Sequence, residues 1–151
     1  MEYVQQLISN RIIITGVVSW AAAQILKTVI FALVNHTLRL ERLLGDGGMP
    51  SAHSATVTAV AVATGFECGF DSAVFAVAFF LAVVVMHDAA GVRLESGKQA
   101  KAINDLMALL GELYSDRLSP EDKLKEFIGH TPLQVAAGLC LGLVVALIMN
   151  L

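Results

Sequence analysis

Residues 127–151 read FIGHTPLQVAAGLCLGLVVALIMNL and contain no Asp, Glu, Lys or Arg. A helix rises 1.5 Å per residue, so about 20 mostly apolar residues are enough to cross the hydrocarbon core of a bilayer. Two other stretches have comparable length: residues 47–66 carry no charge, and residues 12–34 carry one, Lys27. Each of these three stretches predicts a transmembrane helix.

A fourth apolar stretch, residues 72–87, is also uncharged but shorter. It reaches the length of a span if it continues through Asp88 to Val92, with the charge of Arg93 extending toward the interface. The sequence therefore predicts an all-α protein, an integral membrane helical bundle with about four transmembrane helices.

The composition excludes several other classes of protein. Of 151 residues, 56% are hydrophobic and 15% are charged, and the mean hydropathy is +0.71. Soluble domains carry about 25% charged residues. The length predicts one membrane-embedded domain, residues 1–151. A net charge of -3 leaves no basic excess for nucleic acid. Cys68 and Cys140 form no C-x-x-C pair, which argues against a disulfide framework or a zinc site.

Positive charge is distributed unequally between the connections. Arg39 and Arg42 lie between the first two predicted spans, and six more positive residues lie between the third and fourth: Arg93, Lys98, Lys101, Arg117, Lys123 and Lys125. The opposite side has only Arg11. Because cytoplasmic loops carry an excess of Lys and Arg, we expect both long connections in the cytoplasm and both termini outside.

The second long connection has a helical pattern of its own. Apolar residues recur at helical spacing: Ile103, Leu106, Met107, Leu110 and Leu113. We predict an amphipathic cytoplasmic helix ending near Tyr114, with its apolar face on the bundle or at the lipid interface. Residues 119–122, Ser-Pro-Glu-Asp, are typical of the start of a second short helix, and Gly129 would end it.

The first of three polar motifs is GGMPSAHS, residues 47–54. It is a glycine-rich turn that leads into an uncharged helix. Backbone N–H groups at a helix start attract phosphate, and His53 adds an acid beside two serines. The same residues also fit a simpler interpretation, in which Ser51 caps the helix and His53 lies among lipid headgroups.

The second motif, HDAAGVRLESGKQ, covers residues 87–99, and the third, GHTPLQ, covers residues 129–134. In the second, Arg93 is a bidentate donor and Lys98 a mobile charge for phosphate oxygens, or both anchor the chain among headgroups. Asp88 needs a partner at the membrane boundary, and Arg93 is a candidate. The third predicts a T-x-x-Q capping box, which leaves His130 unexplained.

In this order the three motifs resemble the divergent branch of the type-2 phosphatidic acid phosphatases, also described as acid phosphatase/vanadium-dependent haloperoxidase-related. The resemblance extends from the Ala-Gln-x-x-Lys pattern at residues 23–27 through the last span. It implies a membrane-bound phosphatase that needs no metal or other cofactor and acts on a lipid phosphate.

The resemblance also implies roles for three residues. His130 corresponds to the histidine that attacks phosphorus, and His53 to the histidine that protonates the leaving group. Gln134 stands four residues after His130, where the wider superfamily has an aspartate that orients the nucleophile. A neutral amide at this position orients the imidazole without stabilising its cation.

The phosphate-binding residues follow by the same correspondence. Ser51 and Ala52 would donate hydrogen bonds to the phosphate, while Arg93 and Lys98 would neutralise its oxygens. Lys27 is a loose stand-in for another cation of the superfamily. With the site in the cytoplasm, a lipid phosphate made there, such as phosphatidylglycerol phosphate, fits best, and so few spans favour a homodimer.

Two other hypotheses remain open from the sequence. Asp88 and Arg93 have the D-x4-R spacing of metal-dependent phosphotransferases that act on CDP-linked alcohols, but Lys101 and Asp105 do not complete that metal site. The other is non-catalytic: a small membrane protein that binds phosphate or a lipid headgroup without turnover.

Overall fold

The computed structural model describes residues 1–37, 48–113, 124 and 129–151, and within them every regular element is a helix. The helices are α1 (Glu2–Ser9), α2 (Arg11–Asn35), α3 (Ala52–Cys68), α4 (Ala73–Ala90), α5 (Val92–Leu113) and α6 (Pro132–Asn150). The all-α prediction is confirmed.

Three helical stretches of the described chain are long and apolar enough to cross a membrane. They are α2, α6 and residues 73–109, which comprise α4 and most of α5. The predicted span at residues 47–66 corresponds to α3, which has 17 residues and a length of about 26 Å. It is the shortest of the bundle helices and lies at the centre, packed against α2, α4 and α6. The structure therefore supports three of the four predicted spans by length and composition.

Hydrogen bonds between helix ends fix the direction of the helices. The Ser51 N–H, at the start of α3, donates to the Gln134 carbonyl in the first turn of α6 at 3.0 Å. The His130 N–H, just before α6, donates to the Ala89 carbonyl at the end of α4 at 2.9 Å. The starts of α3 and α6 and the end of α4 thus meet at one end of the bundle, which we call the polar end.

Small residues allow α6 to pack closely on α3. Gly138, Gly142 and Ala146 follow each other at intervals of four residues and are all buried. A Cβ atom on Gly142 would lie 3.0 Å from both the Ala55 carbonyl carbon and the Thr58 Cβ. Close approach of backbones through small residues is a common way for helices to associate in membranes. The G-x-x-x-G spacing was present in the sequence but was missed in its interpretation.

The predicted amphipathic helix is α5, which ends one residue before Tyr114. Ile103 and Leu106 are exposed, so this part of the apolar stripe does not pack on the described bundle. Several predicted features lie outside the described residues: the side chains of Leu110 and Leu113, the helix start at 119–122, and Arg39, Arg42, Arg117, Lys123 and Lys125.

The predicted orientation can be tested with two cysteines at opposite ends. Cys68 is exposed beside Glu67, which pairs with Arg11 at 3.6 Å, away from the polar end. In a Cys140→Ser background, we expect a membrane-impermeant maleimide to label Cys68 in intact cells. A Ser96→Cys variant that lacks both native cysteines should be labelled only after permeabilisation. The reverse pattern would overturn the orientation.

Candidate phosphate site at the polar end

The start of α3 is organised by Ser51, which is fully buried. Its Oγ accepts hydrogen bonds from the Ser54 N–H at 3.3 Å and from the Ser54 hydroxyl at 3.1 Å. Its own N–H is bonded to α6, as described above. Ser51 is therefore the helix cap. The N–H of Ala52 is at the first helical position, where backbone donors have no partner within the helix.

The backbone at His130 contacts the end of α4 and the start of α5 and leads directly into α6. Gly129 has φ +112°, and a Cβ atom there would lie 2.6 Å from the Arg93 carbonyl carbon. Only glycine fits this position, because a side chain would collide with the start of α5. With its N–H bonded to Ala89, the His130 backbone is fixed, and the residue is 3% exposed.

The capping box of α6 places an amide oxygen beside the His130 ring. The Thr131 Oγ1 accepts from the Gln134 N–H, and the Gln134 Oε1 accepts from the Thr131 N–H at 3.1 Å. The same Oε1 lies 3.3 Å from the His130 Nδ1. Because this oxygen can only accept, the contact is a hydrogen bond when Nδ1 carries the proton, and in the neutral ring Nε2 then carries the lone pair. The predicted capping box is present, and it also orients the imidazole.

The structure brings His53 and His130 together. Their ring centroids are 5.8 Å apart, with the planes at 61°. His53 is half-buried in the first turn of α3, and His130 directly precedes the start of α6. Since both helix starts carry partial positive charge, the histidine pair lies where an anion is favoured from two directions.

Arg93 and Lys98 are held by neighbouring carboxylates at the surface. The Arg93 Nε donates to the Asp88 Oδ2 at 2.8 Å, and the Lys98 Nζ donates to the Glu95 Oε1 at 2.7 Å. The side chains of both cations are about half exposed or more, at 49% and 64%. Arg93 is thus the partner that Asp88 was predicted to need. The D-x4-R spacing that resembled a metal-dependent phosphotransferase is accounted for by this ion pair.

Among the residues that the structure describes, Lys27 is a cation that the fold buries at the polar end. It is 5% exposed, and a Cβ atom on Gly48 would lie 3.1 Å from its Cγ. Lys27 also lines a cavity of about 190 Å³ together with Gly48 and Met49, in the glycine-rich motif. One turn earlier on α2, the Gln24 Oε1 is buried and has no hydrogen-bond partner among the described residues.

The sequence interpretation gave Lys27 only a supporting role and Gln24 none. The signal that could have ranked them higher is the presence of polar residues within an otherwise apolar predicted span, which is costly and marks functional sites in membrane proteins. Both residues belong to the Ala-Gln-x-x-Lys pattern at 23–27.

These features define the class as an integral membrane helical protein with a candidate anion-binding site where two helices begin. The chain belongs to the Divergent PAP2 family, which it matches over residues 8–145. It is 34% identical over 152 residues to the uncharacterized membrane protein YuiD of Bacillus subtilis (strain 168), with 95% of this chain and 96% of that protein covered. No solved structure matches the chain. The resemblance inferred from the three motifs is confirmed.

Proposed function

We propose that the protein is a membrane-bound phosphatase that hydrolyses a lipid phosphate through a phosphohistidine, without a metal. The observation that carries the proposal is the His53–His130 pair, with centroids 5.8 Å apart at the starts of two helices. Two imidazoles at this separation can contact one phosphoryl group, one as nucleophile and the other as acid.

In the first step, the lone pair on the His130 Nε2 attacks phosphorus. An N–P bond forms, and the bond between phosphorus and the lipid oxygen breaks. His53 gives its proton to that oxygen, so the lipid leaves as an alcohol. In the second step, a water molecule gives a proton to His53 and attacks phosphorus, so a new P–O bond forms as the N–P bond breaks; inorganic phosphate leaves, and the electron pair returns to the His130 Nε2.

Charge develops on the phosphoryl oxygens in both steps. The N–H of Ala52 and the positive ends of α3 and α6 offer fixed donors for it, and such preorganised groups supply much of the rate in acyl and phosphoryl transfer. Lys27 is a candidate for a full positive charge, because it is buried against the glycine-rich turn that leads into α3. The Arg93 backbone lies beside Gly129. Its guanidinium would bind the phosphate by releasing its hydrogen bond to Asp88.

The substrate in this proposal is a lipid phosphate made on the cytoplasmic side, such as phosphatidylglycerol phosphate. Its support is the excess of Lys and Arg in the two long connections, which precede α3 and α6 in the sequence. The homodimer remains a prediction from the small number of spans.

The proposal is tested by assaying the purified protein in detergent or liposomes against a panel of lipid phosphates. We expect release of inorganic phosphate at the same rate with and without excess EDTA. Activity lost in EDTA and restored by a divalent metal would contradict the mechanism. If no lipid or aryl phosphate is hydrolysed at all, the enzymatic proposal fails.

Gln134 favours a second candidate, a protein that binds phosphate or a lipid headgroup without turnover. The neutral amide orients the His130 imidazole but adds no negative charge to stabilise its cation. In that case, inorganic phosphate or vanadate would still bind at the two histidines, and no substrate would be hydrolysed.

Replacing Gln134 with glutamate separates these roles. Glutamate preserves the capping box with Thr131 and places a carboxylate beside the His130 Nδ1. By analogy with the loss of about 10⁴-fold when a triad aspartate becomes asparagine, we expect Gln134→Glu to raise kcat roughly tenfold or more. Gln134→Leu, which loses both contacts, should lower kcat and Tm. An unchanged or lower rate in Gln134→Glu with the Tm of the wild type would show that this contact does not serve catalysis.

A further inference from the structure

A narrow apolar groove runs along the bundle between α4 and α6, with α3 as its floor. Both outer helices pack on α3 but barely touch each other, so the groove opens sideways to the lipid. Its volume is about 240 Å³. Thr58 and Met86 border it toward the polar end, Phe70 lies at the other end, and Leu139 and Leu143 form the wall on α6.

The lining of the groove excludes a polar occupant. Its hydroxyl group belongs to Thr58 and is directed at the Met86 sulfur, 4.0 Å away. The wall on α4 includes the rings of Phe75 and Phe79; Phe75 contacts the Phe70 ring edge to face, and Phe79 contacts Phe75 at a tilt. A peptide or a headgroup would lose hydrogen bonds with water here and regain none, whereas a hydrocarbon chain loses nothing.

The groove has the length of one lipid chain. It begins near Thr58, five residues or about 7.5 Å along α3 from His53. Its lining on α4 runs from Met86 to Phe75, eleven residues or about 16 Å. This length is about half the thickness of the hydrocarbon core, which is one leaflet.

We propose that this groove holds one hydrocarbon chain of the lipid phosphate whose headgroup occupies the His53–His130 site. The inference rests on the proposed function and adds a subsite to it. The groove gains little free energy from the chain, because lipid tails are equally apolar in the bilayer. Its contribution is orientation: a chain aligned with α3 directs its phosphate toward the start of that helix and holds it for attack.

Two adjacent valines provide a matched pair of variants. Val83 lines the groove, whereas Val84 is 63% exposed and lies about 100° further around α4. Val83→Phe fills the groove and Val84→Phe adds the same bulk outside it. The probe is a phosphatidic acid with a photoreactive diazirine in the middle of one chain, in phosphatidylcholine liposomes, and the labelled residues are mapped by mass spectrometry. Phosphatidylcholine with the same diazirine reports contact with bulk lipid.

We expect the phosphatidic acid probe to label Leu139 and Leu143 several-fold more than the phosphatidylcholine probe does. Val83→Phe should remove this excess, and Val84→Phe should retain it. The proposal is overturned if both probes label the groove equally or if the two variants behave alike. Labelling needs no turnover, so it tests the groove even if the protein hydrolyses nothing and the proposed function fails.

A kinetic measurement distinguishes the subsite from the chemistry. If the chain orients the headgroup, Val83→Phe should lower kcat/KM for a long-chain phosphatidic acid by roughly five- to tenfold. For a water-soluble aryl phosphate, the kcat/KM of Val83→Phe should stay within about twofold of the kcat/KM of Val84→Phe. An equal loss on both substrates would place the damage in the catalytic site and contradict a role for the groove.

Discussion

His130→Ala is expected to abolish the hydrolysis of every phosphate ester, including those with good leaving groups. Without the imidazole, no N–P bond can form, and the covalent route is closed for all substrates alike. The measurement is release of inorganic phosphate from a lipid phosphate and from an aryl phosphate, by protein whose Tm and elution profile are compared with the wild type.

The chain offers a matched control for this substitution. His87 is exposed near the end of α4 and is not assigned to the site. We expect His87→Ala to retain activity close to that of the wild type. Full activity in His130→Ala would refute the phosphohistidine mechanism and leave the binding protein as the better account.

His53→Ala is expected to have an effect that depends on the leaving group. A lipid alkoxide needs a proton as it departs, so loss of the general acid should lower kcat for a lipid phosphate by about 10²–10⁴-fold. An aryl phosphate leaves without that proton, and its hydrolysis should be largely spared. The comparison is the ratio of kcat values for the two substrates in the variant and in the wild type.

The outcome also tests the assignment of the two histidines. If His53 were the nucleophile, His53→Ala would abolish activity on both substrates, and His130→Ala would be the variant that spares the aryl phosphate. Equal partial losses on both substrates would contradict a general acid at either position.

Local signals made much of the polar end predictable from the sequence. The capping box of Thr131 and Gln134, the cap at Ser51 and the pairing of Asp88 with Arg93 all involve residues at most five apart. Such contacts depend on helix geometry and short spacing, which a sequence pattern contains. The order of the three motifs along the chain predicted the family.

Contacts between distant segments were not predictable in the same way. The burial of Lys27 depends on how α2 packs beside the turn at Gly48, whereas Arg93 and Lys98 remain at the surface. The central position of α3 could not be predicted from the sequence for a related reason. The absence of charge marks a segment as apolar, but it does not distinguish a lipid-facing helix from one enclosed by other helices.

The most direct test of the account is to trap the covalent intermediate. The protein would be mixed with a lipid phosphate labelled with ³²P, quenched in alkali within the first turnover and digested for mass spectrometry. The account predicts one acid-labile, alkali-stable phosphoryl group on His130, absent from His130→Ala and still formed from an aryl phosphate in His53→Ala. Hydrolysis without any labelled histidine, or with the label on His53, would contradict it.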